Sequence, residues 1–457
     1  MAVAEGAGVD RRRVGELTER ELTRFLAERP RSAELLARAH GSMPLGIPMA
    51  WMASLHGHPP VYMERGEGAY VFDVDENRYL DTNIADTSMF CGYGPEPVVR
   101  AVSERIRLGS QFLMPSEDAI IVAEGLARRW GLPKWQFTLS ATLANTEAIR
   151  FARFATGRPM ILTFDGKYHG HGDEMLVTVD DGRTIPESPG LPPGVESRVR
   201  VVAYNDPSGL TRALEPGDVA CVLIEPALTN LGVVMPDPRF HDAVRRITRE
   251  TGTLLVVDET HTLICGRSGL VGRWGLDPDI VTLGKSFGGG VAIGAYGMRE
   301  EMASLLRAVD DYGGPGAGEE EVPTGGTLFG NPLQMAAARA ALTEVLTEEA
   351  YERTARLGTQ LADGIEAAAG SAGLPWRAHR LFARSGYAFT GELARTGAEA
   401  RAVHDGELWR LLRLWMANRG VWEAMEWAGP AVSVPATEAD VELYLDVLAN
   451  LVDALTA

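Results

Sequence analysis

The chain has 457 residues, 45% hydrophobic and 23% charged, with a formal net charge of −18. That length suits one large domain plus a smaller one, and the negative balance argues against nucleic acid or an anionic membrane surface as partner. The cysteines Cys91, Cys221 and Cys265 make no disulfide framework, no apolar run reaches the roughly 20 residues of a membrane span, and no signal peptide opens the chain, so a cytoplasmic location is expected.

Residues 1–10 are small and polar and are expected to be disordered. A helix is predicted over 18–27, with Thr18 as cap, Glu21 three residues on, and Leu22, Phe25 and Leu26 on one face. Residues 61–81 alternate as hairpin strands, turning at Asp75, Glu76 and Asn77. Beyond Glu96, helical and extended segments alternate. Helices are predicted over 119–130, 147–156 and 240–251, and strands over 137–139, 160–164 and 220–224. Such alternation predicts an α/β fold with a mostly parallel sheet covered by helices on both faces. Cys221, in an apolar strand, reads as inert core. Residues 312–323 read as a glycine-rich acidic loop, 332–347 as a long helix, and 438–455 as a closing helix.

Two strand ends carry the polar residues of interest. The run 253–257 is apolar and leads into Asp258, and 279–283 leads into Gly284 and Lys285, followed by Gly288, Gly289 and Gly290. Ligands of open α/β sheets sit at the carboxyl ends of strands. A lysine there suits Schiff-base chemistry, and a buried acid nearby suits a pyridinium nitrogen. The plainer alternative makes Asp258 a helix cap and Lys285 a solvated loop residue.

Around these residues the chain resembles a known family. Asp258-Glu259-Thr260-His261-Thr262 and Leu283-Gly284-Lys285-Ser286-Phe287-Gly288-Gly289-Gly290 are similar to the core of class III pyridoxal-phosphate (PLP) aminotransferases. The branch it looks most like contains glutamate-1-semialdehyde aminomutase and β-amino-acid aminotransferases. The hairpin 66–75 and the run Gly325-Gly326-Thr327-Leu328-Phe329-Gly330-Asn331-Pro332 carry the same resemblance.

The resemblance implies PLP fold type I, aspartate aminotransferase-like, with a smaller α+β domain beside the main sheet. It divides the chain into an N-terminal helix and hairpin (1–80) packing with the small domain, a large PLP-binding domain (81–340) and a C-terminal small domain (341–457). It makes Lys285 and Asp258 the catalytic pair. Ser140, Ala141 and Thr142, at a predicted helix start, become the phosphate cup. Ala141 and Leu143 stand where the family has a glycine and an acid, and Ser140 also reads as a plain helix cap. Tyr168 is expected to stack on the cofactor ring, with His169 and Asn230 nearby and His261 reaching the phenolic oxygen. Thr260 replaces a valine of the family. Thr327 is expected to reach the phosphate bound by a second subunit, which implies an obligate homodimer.

The substrate side departs from the relatives. The stretch 44–52, including Trp51 and Met52, lacks the arginine that binds the substrate carboxylate in the aminomutases. Asp86 stands further on, and 422–427 offers Glu426 and again no arginine. Arg380 and Arg384 remain candidate carboxylate partners. An apolar, acidic pocket follows, favouring an amine or an uncharged or cationic substrate over a dicarboxylate. The expected activity is transamination between a small amine or amino acid and a carbonyl acceptor. The alternative is an intramolecular aminomutase, epimerase or lyase on the same scaffold.

Overall fold

The computed structural model describes residues 7–55, 57–305, 324–425 and 429–457. The predicted 312–323 loop and Glu426 lie outside the described residues, as do residues 1–6. The chain is already ordered at Ala7, which is buried and whose carbonyl accepts from Trp376 Nε1 at 3.1 Å. The first helix is Arg11–Ala27, longer than predicted and capped by Asp10 instead of Thr18. Val14 and Leu17 extend the buried stripe toward the N-terminus, so tertiary packing sets the start.

Strands β1 (Met63–Glu67), β2 (Tyr70–Asp73) and β3 (Arg78–Asp81) form an antiparallel meander, and the predicted turn lies between β2 and β3. The main sheet takes β4 (Lys134–Thr138), β5 (Met160–Phe164), β8 (Val199–Val202), β9 (Val219–Ile224), β10 (Leu254–Asp258), β11 (Ile280–Gly284) and β12 (Gly294–Met298). Strands β6 (Val177–Asp180) and β7 (Arg183–Pro186) make a side hairpin. Strands β13 (Arg377–Ala378) and β14 (Tyr387–Ala388) pair in the C-terminal part, and β15 (Val421–Trp422) adds to β3 in parallel.

The seven strands run in the order β4-β12-β11-β10-β9-β5-β8. Neighbours from β8 to β11 are parallel, and β12 is antiparallel to both β11 and β4. Every residue of β9 and β11 is buried, as continuous apolar runs covered on both faces require. Cys221 lies inside β9, and burial pushes its thiol up to about 12.

One apolar core follows this sheet, from Ile84 through Val257 to Tyr351. Another joins Val14, Leu17 and Leu80 to Leu361, Trp415 and Leu451, so the N-terminal helix packs with the C-terminal part. The predicted 332–347 helix is present and ends two residues early, at Val345, with its last turn widened. Pro332–Ala340 passes into a wider turn over Ala341–Val345, and Thr347 caps a new helix, Glu348–Ser371. Arg129 Nη2 donates to the carbonyls of Leu342 (2.6 Å) and Leu346 (3.0 Å), satisfying acceptors that the helix end exposes. None of the described helices is long and apolar enough to cross a membrane.

Candidate active site

A cavity of about 370 Å³ lies where β10 and β11 end and the helix Ala141–Thr156 begins, within the usual size range of small-ligand sites. Asp258 closes β10 and is 3% exposed. Its Oδ2 accepts from His169 Nδ1 at 2.9 Å and Asn145 Nδ2 at 2.7 Å; its Oδ1 accepts from Thr260 N at 3.0 Å and Thr260 Oγ1 at 2.5 Å. Burial alone would raise the pKa, but His169, Thr260 and Asn145 hold it at about 2. Asn145 is fixed in turn by Thr282 Oγ1, which donates to its Oδ1 at 2.6 Å. Asn145 was not singled out in the sequence. Its signal is a polar amide on an otherwise apolar helix face, one turn past the helix start.

Lys285 follows β11 with φ 58°, an unfavourable left-handed conformation for a side chain. Its Nζ bonds to Asp86 Oδ2 and to His261 Nε2. Asp86 comes from a turn after β3 in which Ile84, Ala85, Asp86 and Thr87 all have positive φ (42°, 45°, 52° and 69°). Four such non-glycine residues in succession form a left-handed turn. Asp81 Oδ1 holds its entry by accepting from Asn83 N and Ile84 N, each at 2.9 Å. Burial opposes ionisation of Asp86, but Lys285 and His261 beside it hold its carboxyl well below the usual range. Asp86, proposed above as a substrate group, thus also contacts the lysine.

At the opposite wall, Ser140 caps the helix Ala141–Thr156, accepting from Leu143 N at 3.3 Å. The plain capping reading of Ser140 therefore holds. Ser140, Ala141 and Thr142 line the cavity, and the first-turn N–H groups of a helix have no intrahelical acceptors. Glycines admit close backbone approach here. A Cβ on Gly170 would lie 2.0 Å from Thr142 Oγ1, and one on Gly284 would lie 2.7 Å from Ala141 Cβ. Tyr168 also lines the cavity, its N–H donating to Glu225 Oε1 at 2.9 Å, and Trp51 sits 5.6 Å from it, ring to ring.

His261 is buried, its Nδ1 2.8 Å from Thr229 Oγ1, which donates to Glu225 Oε2 at 2.8 Å. Glu225 and Thr229 therefore belong with the site. Asn230, Met52 and Thr327 do not line the cavity of their own chain. Arg380 is taken up by Asp363 and Glu366. Arg384 is buried and donates to the Thr229 carbonyl at 2.8 Å. No arginine lines the cavity among the described residues.

The donor set suits a phosphorylated pyridine aldehyde. There is an amine, a buried carboxylate held ionised, a helix start with two hydroxyls, and an aromatic wall. The buried His169 Nε2 has no hydrogen-bond partner among the described residues. A mostly parallel sheet with these groups at its strand ends is PLP fold type I.

Comparison with known proteins agrees. The family model "Aminotransferase class-III" matches residues 51–373. Glutamate-1-semialdehyde 2,1-aminomutase 2 of Halalkalibacterium halodurans is 35% identical over 426 residues, 91% of this chain and 96% of that one. A glutamate-1-semialdehyde-aminomutase variant from Pseudomonas aeruginosa PAO1, crystallised in complex with PMP, is 37% identical with a TM-score of 0.93, covering 98% of this chain and 100% of that one. An omega-transaminase from Sphaerobacter thermophilus is 30% identical with a TM-score of 0.85, covering 93% and 98%. The chain belongs to the class-III aminotransferase family, and its cofactor is pyridoxal 5'-phosphate.

Proposed function

We propose that this chain is an aminomutase-type enzyme, which moves an amino group within one carbon skeleton. What carries this reading is the likeness to aminomutases over nearly the whole chain, at a TM-score of 0.93 for the Pseudomonas enzyme. It reverses the order expected from sequence, where transamination came first. Lys285 would hold the cofactor, and its amine is placed to take and return the substrate proton. Asp258, buried and held ionised, would keep the ring nitrogen protonated. Ser140, Thr142 and the helix start would hold the phosphate and Tyr168 the ring, and the absence of a Cβ at Gly170 leaves room for Thr142 Oγ1. When bound, PLP supplies an electron sink for the charge left as the substrate C–H bond breaks.

Thr327 completes the phosphate site of a second copy. Two observations support a homodimer. Thr327 is exposed and outside its own cavity, and Gln111 Nε2 donates to its carbonyl. Exposed apolar side chains gather on this segment and on the one carrying Gln111: Leu328 beside Thr327, and Ile106, Phe112, Leu113 (69% exposed) and Met114 (71%) around Gln111.

Intermolecular transamination of an amine is the second reading, favoured by the cavity lining. It offers Asp86, Glu225 and Asp258, but among the described residues no arginine for a substrate carboxylate. On either reading the substrate is uncharged or cationic away from the reacting carbons. The test is a single-substrate incubation of the holoenzyme with a panel of amino-carbonyl compounds and amines. A mutase isomerises the substrate without releasing a stoichiometric carbonyl product; release of that product with cofactor left in the amine form establishes transamination instead. If borohydride reduction labels a residue other than Lys285, the lysine assignment fails.

A further inference from the structure

The residue three places after Asp258 is a histidine, and its surroundings fix which of its nitrogens carries the proton. Thr229 has one hydroxyl hydrogen, directed to Glu225 Oε2 at 2.8 Å. The same oxygen lies 2.8 Å from His261 Nδ1. With Glu225 ionised, Thr229 donates to the carboxylate and must accept from the ring, so Nδ1 carries the hydrogen. The Nε2 lone pair then faces Lys285 Nζ, with which it is in hydrogen-bond contact. Asp86 Oδ2 holds the same amine from the other side.

We propose that His261 is a proton acceptor for Lys285, with its Nε2 lone pair held toward the amine by a relay through Thr229 to Glu225. Transfer breaks one N–H bond on the Lys285 ammonium and forms one at His261 Nε2, leaving a neutral amine. The imidazolium can then pass its Nδ1 hydrogen to Thr229 Oγ1 while the Thr229 hydroxyl hydrogen moves to Glu225 Oε2. His261 ends neutral with its hydrogen on Nε2, and Glu225 ends protonated. No oxidant or further reactant is needed. The lysine thereby gains a store for the proton it must shed before it can attack a carbonyl or take a substrate hydrogen.

The charged groups around His261 come from several elements. Lys285 follows β11, Asp86 Oδ1 lies 3.5 Å from Nε2, Glu225 Oε2 lies 4.0 Å from Nδ1, Asp258 ends the preceding strand, and Arg384 approaches from the C-terminal part. Burial lowers the imidazole pKa, Lys285 and Arg384 lower it further, and Asp86 opposes them. The net direction favours the neutral ring over the imidazolium, and the contact with Thr229 sets which nitrogen carries its hydrogen.

The inference rests on Lys285 being the cofactor-binding amine, and its test separates the two. Ring-15N histidine spectra of the cofactor-free full chain, with His261 assigned by the signal lost in His261→Gln, read the tautomer directly. The expected result, while Lys285 is still an ammonium, is a neutral ring with hydrogen on Nδ1 and none on Nε2; a neutral Nε2–H tautomer beside the Lys285 ammonium overturns the relay. The second readout is the rate at which the cofactor-free protein captures added PLP across pH. His261→Gln should slow capture about tenfold or more near neutral pH while final stoichiometry is kept. Thr229→Val should slow it similarly, and Thr229→Ser should restore it. Wild-type capture rates and pH profile in His261→Gln overturn the proposal. Absence of covalent PLP on Lys285 in the wild type would instead overturn the lysine assignment, whatever the tautomer.

Discussion

Asp258 Oδ2 and His169 Nδ1 meet at 2.9 Å in a contact that leaves the histidine side chain fully buried and the aspartate 3% exposed. The carboxylate has four donors around it, two on each oxygen, from His169, Asn145 and Thr260. So complete a set stabilises the negative charge, which is the charge a pyridinium needs opposite it.

Asp258→Asn should therefore spare cofactor capture and slow turnover. The amide keeps the shape but loses the charge, and a fall of about 10²–10³ in kcat is expected, the scale of removing one preorganised electrostatic partner. Equilibrium dialysis with PLP and single-turnover rates separate the two effects. Equal losses in affinity and rate would make Asp258 a structural residue.

The strand frame of the candidate site was legible because it rests on local pattern. Short, mostly apolar runs leading to Asp258 and Lys285 fit doubly covered strands, and β10 and β11 lie within one residue of the predicted bounds. The support of Asp258 was not legible, since Asn145 reaches it across 113 residues and Thr282 reaches Asn145 across 137. Nor was the left-handed turn at 84–87. Isoleucine, alanine, aspartate and threonine carry no local preference for positive φ, and only the hydrogen bonds of Asp81 and the packing of buried Ile84 impose it. The first helix was placed seven residues late because Thr18 resembled a cap, whereas packing of Val14 and Leu17 extends it to Arg11.

That turn predicts an unusual response to glycine. In an ordinary right-handed helix interior, alanine to glycine costs about 0.5–1 kcal/mol. At Ala85, with φ 45°, removing Cβ relieves about 1–2 kcal/mol of left-handed strain, part of which is offset by the greater freedom of glycine in the unfolded chain. Ala85→Gly should be neutral to stabilising by about 1 kcal/mol, and Ala85→Val destabilising, in urea denaturation. Clear destabilisation by glycine would contradict the left-handed geometry.

His241 gives a pH test away from the site. Its Nε2 lies 2.7 Å from the Pro226 carbonyl, and burial lowers its pKa to about 4, against the opposing pull of that carbonyl and Asp242. The folded state thus resists protonation that the unfolded chain accepts near pH 6.5. Above that pH both states are neutral and the group adds no pH dependence; below it, stability is lost as pH falls toward about 4. His241→Gln should be less stable than wild type at pH 7, through lost packing on Phe240 and Trp274. On acidification to pH 5 the gap should close by roughly 2 kcal/mol, or 1.5 pH units at about 1.36 kcal/mol each. Comparing the two proteins removes the opposing contribution of buried acids such as Glu423, whose pKa is raised to about 7. A gap constant from pH 7 to 5 would mean that His241 titrates normally in the folded protein.

The proposed dimer makes a sharper prediction, because it puts Lys285 and Thr327 of one site on different chains. Lys285→Ala should abolish turnover, and Thr327→Ala should weaken PLP binding by removing a hydrogen bond to a charged phosphate, worth about 1.5–3 kcal/mol, or roughly 10- to 150-fold in Kd. Mixing the two variants under conditions that exchange subunits creates heterodimers with one doubly defective site and one intact site. That intact site combines Lys285 from the Thr327→Ala chain with Thr327 from the Lys285→Ala chain. Purified heterodimer should show about half the wild-type activity, with wild-type PLP affinity at its working site. If Thr327 served its own chain, the only site retaining Lys285 would also carry the Thr327→Ala lesion, and activity at limiting PLP would stay as weak as in the Thr327→Ala homodimer. Titrating heterodimer activity against PLP concentration distinguishes the two arrangements.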